Sequence, residues 1–123
     1  MQDITTFLKF NGQAEEAIRF YVSLFDDASM ESLHHNEDGS VRHAVFRLKG
    51  LSFMAVDGSG EEPHPFTPAM SLFVQCRTEK EIERVFRGLA DGGKVLTPLA
   101  ESPFSEKYGR VEDRYGVSWQ LNL

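Results

Sequence analysis

Residues 4–25 read ITTFLKFNGQAEEAIRFYVSLF, and residues 70–90 read MSLFVQCRTEKEIERVFRGLA. Each opens on a short run of β-branched, aromatic and aliphatic residues, which predicts a strand. In the first stretch Asn11-Gly12 stops that strand. Residues 13–25 then place Ala14, Ala17, Ile18, Tyr21, Leu24 and Phe25 on one side at helical spacing, with Glu15, Glu16 and Arg19 largely on the other. In the second stretch residues 79–90 repeat the pattern with Ile82, Val85, Phe86 and Leu89. Thr78 followed by Glu81 has the spacing of a capping box, and Asp91-Gly92-Gly93 closes the helix.

Each strand–helix pair is followed by three further strand signals. After the first come 29–35, then VRHAVFRL (41–48) beyond a turn at Glu37-Asp38-Gly39, then LSFMAV (51–56) beyond Lys49-Gly50. After the second come VLTPL, KYGRVED and VSWQLNL. The chain therefore reads βαβββ twice. A shift of 65 lays Thr6 on Ser71, Ala17 on Ile82 and Tyr21 on Phe86, and a shift of 66 lays Gly50-Leu51-Ser52-Phe53 on Gly116-Val117-Ser118-Trp119. Between the modules, residues 57–68 (DGSGEEPHPFTP) hold three of the five prolines and two glycines. The expected organisation is one domain over 1–123, with a module at 1–56, a linker at 57–68 and a second module at 69–123.

Composition narrows the function classes. With 123 residues, 41% of them hydrophobic and 26% charged, the chain is long enough for one well-packed domain. Thirteen basic against nineteen acidic residues give −6, so no basic surface is on offer for nucleic acid. Cys76 is the single cysteine, which excludes an intrachain disulfide and a cysteine-cluster metal site. The opening MQDITTFLKFNG is not patterned as a signal peptide, and no apolar run approaches a membrane span. A cytoplasmic protein is expected.

The tandem βαβββ pattern, with FNGQAEEAIRFY (10–21), FMAVDG (53–58) and YGRVEDRYGVSWQLNL (108–123), resembles the vicinal oxygen chelate superfamily of glyoxalases, bleomycin-resistance proteins and dioxygenases. Within it the chain is similar to the PhnB-like branch, often labelled 3-demethylubiquinone-9 3-methyltransferase. The resemblance implies an α+β fold whose two modules form a cupped mixed sheet, with helices on the convex side. It also implies a homodimer. The methyltransferase label sits poorly with the sequence, because no Gly-rich turn follows a strand.

In metal-using members of that superfamily each module supplies a ligand from its first strand and one from its last. Carried over by spacing, these positions are Thr6, Met54, Ser71 and Gln120. Two hydroxyls, a thioether and an amide are poor partners for a catalytic divalent ion, so no metal and no cofactor are expected. His34 and His35 are adjacent in a strand and point to opposite faces, so they are not a joint chelate. With Thr6 and Ser71 inward, strand alternation adds Leu8, Phe10 and Phe73 to the concave face. The opposite, helix-packed face takes Trp119 and Cys76.

The reading that follows is a small-molecule binding protein with Thr6, Leu8, Phe10, Met54, Ser71, Phe73 and Gln120 as ligand-contacting residues. The competing reading is an enzyme of lyase, isomerase or dioxygenase type, using a metal or acid–base groups such as Asp57, His64 or Tyr108. A third is an interaction module without a small-molecule site.

Overall fold

The computed structural model describes residues 2–58 and 64–123. The chain divides into two compact units, Met1–His64 and Pro65–Leu123. The expected linker lies partly outside the described residues, at 59–63. Its first residue, Asp57, belongs to a strand.

In the first unit, β1 (Thr6–Phe10), α1 (Ala14–Leu24), β2 (Ser29–His35), β3 (Val41–Leu48) and β4 (Leu51–Asp57) follow the predicted order. The sheet order is β1-β4-β3-β2. β1 runs parallel to β4, and the other pairs are antiparallel. In the second unit, β5 (Ser71–Gln75), α2 (Glu79–Ala90), β6 (Lys94–Ser102), β7 (Ser105–Glu112) and β8 (Ser118–Asn122) repeat the plan in the order β5-β8-β7-β6. The protein is thus α+β, with two helices and eight strands in two four-stranded mixed sheets.

Each sheet buries one face beneath its own helix. In the first unit Ala14, Ala17, Ile18 and Tyr21 of α1 are fully buried. Tyr21 stacks near Phe46 (ring centroids 6.5 Å), and Phe46 stacks on Phe53 at 5.3 Å. Aromatic pairs in this geometry add to the area they remove from water. In the second unit Ile82, Val85 and Leu89 of α2 are buried, as are Val111, Trp119 and Leu121 of the sheet beneath.

The turns form where the sequence places them. Lys49 (φ 48°) and Gly50 (φ 83°) are both left-handed, as a two-residue hairpin between β3 and β4 requires. Thr78 caps α2 by accepting a hydrogen bond from the Glu81 N–H, while the Glu81 carboxylate accepts one from the Arg77 N–H. Helix α1 has no side-chain cap of its own at Gln13. Its first N–H, that of Ala14, is met from β4, as described below. β6 is four residues longer than the predicted VLTPL and takes in Pro98. It tolerates proline because it is an edge strand, and its pairing with β7 is irregular at three places.

Candidate functional site

Register decides which side chains share a face, because directly paired residues on neighbouring strands point the same way. In the second unit Phe73 pairs with Gln120 and Ser71 with Ser118 across β5 and β8, and Arg110 pairs with Gln120 across β7 and β8. Val111, Trp119 and Leu121 alternate with these residues and are buried on the α2 side. Tyr108, Arg110, Ser71, Phe73 and Gln120 therefore occupy the opposite, open face. On it the Tyr108 hydroxyl donates to Gln120 Oε1 at 2.6 Å, and Gln120 Nε2 donates to Ser71 Oγ at 2.7 Å. The amide is held at both ends. Ser71 accepts in this chain, so its own proton is left to give. Beside the chain Phe73 is 58% exposed.

The first unit is arranged differently from the expectation. Thr6 pairs with Phe53, Leu8 with Ala55 and Phe10 with Asp57. Leu8, Phe10, Phe53 and Ala55 are all buried on the α1 side. Leu8 and Phe10 are thus core residues, and Thr6 shares their face. Met54 lies on the other face, paired with Phe7. That open face carries Thr5, Val45, Arg47, Ser52 and Met54 around a shallow depression of about 610 Å³. Thr6 and Met54 are therefore not brought together, whereas Ser71 and Gln120 are.

The reason is one residue. The register maps β1 onto β5 with a shift of 66, Thr6 paired to Phe53 matching Leu72 paired to Trp119. The helices match with a shift of 65. The extra residue in the second unit's numbering is offset in the strand–helix loop, Asn11-Gly12-Gln13 in one unit against Arg77-Thr78 in the other. The counterpart of Ser71 is Thr5, not Thr6. Applying to the first strand the shift already evident at Gly50-Leu51-Ser52-Phe53 finds it.

The three candidate acid–base groups fare unequally. Asp57 is buried and its carboxylate is fully engaged: Oδ1 accepts from the N–H groups of Gly12 (3.0 Å) and Ala14 (2.9 Å), and Oδ2 from that of Val41 (2.9 Å). It caps α1 from the end of β4 and ties β3 to both. His64 is exposed, and its backbone pairs with the Asn11 side chain. Tyr108 is the one candidate that stands on an open sheet face with the polar chain.

Asp113, which opens the turn of the closing hairpin, is also structural. Its Oδ1 accepts from the N–H groups of Tyr115 and Val117, and its Oδ2 from Trp119 Nε1 at 2.9 Å. Trp119 is core, and Cys76 is a buried free thiol, as the alternation predicts. His34 pairs across β2 and β3 with His43, while His35 contacts Glu15 Oε1 at 2.6 Å. That contact, then Arg19, holds the Glu15 carboxyl below the usual carboxylate range.

The model of the family described as 3-demethylubiquinone-9 3-methyltransferase matches residues 2–122. The chain belongs to that family. A solved structure of a Bacillus cereus protein described as a putative 3-demethylubiquinone-9 3-methyltransferase, PhnB protein, is 50% identical, with 99% of each chain covered and a TM-score of 0.95. A glyoxylase/bleomycin resistance protein/dioxygenase domain from Frankia shares the fold at 18% identity, covering 100% of this chain and 98% of that one, with a TM-score of 0.74. The Mycobacterium bovis protein Mb0911c is 29% identical over 88% of this chain and 74% of its own length. The protein is therefore a PhnB-like member of the glyoxalase/bleomycin-resistance/dioxygenase fold.

The metal used elsewhere on this fold does not fit the donors present. Among the described residues no three His, Cys, Asp or Glu side chains gather. Met54 offers a thioether, and the amide oxygen of Gln120, which already accepts from the Tyr108 hydroxyl, is a weak neutral donor for a divalent ion.

Proposed function

We propose that this protein binds a small, partly apolar molecule on the open face of its second sheet, without a catalytic metal, as a metal-free member of the vicinal oxygen chelate superfamily. The observation that carries the reading is the Tyr108–Gln120–Ser71 chain beside exposed Phe73. A few fixed polar groups next to an apolar surface are the makeup of a site that orients a ligand. Met54, with Thr5 and Phe7, is the corresponding set in the first unit. Methyl transfer is not part of the proposal. Its cofactor is ordinarily held at a Gly-rich turn of a doubly wound parallel sheet, and both sheets here are mixed.

A homodimer and a cytoplasmic location belong to the same reading. Ile4, Met70 and Phe104 are 91%, 77% and 94% exposed, which is apolar surface that a second copy would cover. No described helix is long and apolar enough to cross a membrane. The test is a small-molecule screen by thermal shift on metal-stripped protein. Stabilising compounds that keep their effect in chelator support the proposal. Compounds that act only after zinc, nickel, manganese or iron is restored would overturn it.

A further inference from the structure

The polar chain on the second sheet has a charged neighbour. Arg110 sits directly across from Gln120 on the same face and is half-buried. Three arginines hold a carboxylate at ion-pair distance: Arg19 has Glu15, Arg47 has Asp27 and Arg114 has Asp91. Among the described residues Arg110 makes no side-chain hydrogen bond or ion pair. A half-buried guanidinium without a counter-charge is an unspent donor for an anion, and its fork matches a carboxylate or phosphate.

The neighbouring groups point the same way chemically. Ser71 accepts from Gln120 and so retains a hydroxyl proton to donate, and Gln120 Nε2 uses one of its two N–H groups on Ser71. Ser118, paired with Ser71 and on the same face, has a buried hydroxyl with no partner among the described residues. Glu112 lies two residues beyond Arg110 on β7, on the same face but paired with Ser118 at its far end. At about 3.3 Å per residue that separates the two Cα atoms by roughly 6–7 Å. That spacing is within side-chain reach, yet among the described residues Glu112 forms no ion pair with Arg110, whose guanidinium keeps its donors for another anion. Phe73 supplies the apolar contact.

We propose that this face recognises an oxyanion, with Arg110 as counter-cation and Ser71 and Gln120 as added donors, so that the ligand carries a carboxylate or phosphate group on an apolar body. The inference rests on the small-molecule reading above. It is tested with three probes on the full, isotope-labelled chain: benzoate, phenyl phosphate and benzamide. Side-chain signals of Arg110 Nε and Gln120 Nε2 are followed by NMR.

The expected result is that both anions shift these signals and bind at least about tenfold more tightly than benzamide, a charge-assisted gain of ordinary size. Arg110→Met is expected to remove that preference while leaving the benzamide response, and Arg110→Lys to keep part of it. Equal binding of benzoate and benzamide by the unaltered protein would overturn the oxyanion inference and leave small-molecule binding standing. No response to any of the three probes at this face would overturn both.

Discussion

Asp57 and Asp113 are both buried carboxylates, and both spend their oxygens on the protein's own donors. A carboxylate that accepts three backbone N–H groups is a structural acceptor, and its loss strands those donors. Asp57→Ala is expected to cost about 3 kcal/mol, read as a lowered urea midpoint at unchanged slope. A surface-sized loss below about 0.5 kcal/mol would contradict the capping role. Glu15 is an acidic residue whose charge is tied to its neighbours. Its folded pKa is depressed by His35 first and Arg19 second, so its stabilising contribution is present above the ordinary carboxylate value of 4.5 and is lost as pH falls through the depressed folded value. NMR titration of the Glu15 carboxyl is expected to give a midpoint below 4.5 that moves up in His35→Ala. Neither role of these acidic side chains was legible in the sequence. Asp57 read as a turn residue in a linker, because its three partners come from residues 16 to 45 positions away.

At the scale of elements, local chemistry specified nearly everything. Both helices, the Thr78 cap and the Lys49-Gly50 hairpin are set by side-chain spacing and by residues within a few positions. Two glycines distinguish kinds of close packing. At Gly93 a Cβ would overlap the backbone carbonyl oxygen of Glu112, which has nowhere to go. At Gly109 it would meet the ends of Phe86 and Leu99, at 2.7 and 2.8 Å, which can shift, and the Thr97 carbonyl oxygen at 3.1 Å, a much looser backbone contact than the one at Gly93. Gly93→Ala is expected to cost more than about 3 kcal/mol and Gly109→Ala about 1–2 kcal/mol. Chemical denaturation of both variants checks the order, and the reverse order would contradict the packing described.

For the whole molecule, the donor set predicts that tag-free protein incubated with zinc, nickel, manganese or iron and then desalted retains less than stoichiometric metal by elemental analysis. One tightly held ion per chain would mean that ligands other than Met54, Ser71 and Gln120 assemble. The exposed apolar residues predict a solution mass twice the 13.9 kDa of the chain, and light scattering at micromolar concentration giving a single chain mass would dismiss the dimer. The faces on which the candidate residues lie were half legible. Ser71, Phe73 and Gln120 were placed on one face because alternation and the Gly-x-x-aromatic pattern both fix the second unit's register. Spacing from the helix puts Thr6, and with it Leu8 and Phe10, on the same kind of face as Ser71, because that spacing crosses a loop whose length differs by one residue between the units.

That single residue marks the division between the two sources of information. The repeat, the order of elements and the apolar helix faces were written in residue type and near-neighbour spacing. The face that β1 shows was settled by the tertiary pairing, because a strand's side chains alternate and a slip of one position exchanges core for surface. The tertiary structure also decided that Gln120 joins Tyr108 to Ser71 and that Arg110 stands beside them with no ion pair among the described residues. Those relations span 12 and 49 residues of chain and exist only once β5, β7 and β8 are in register.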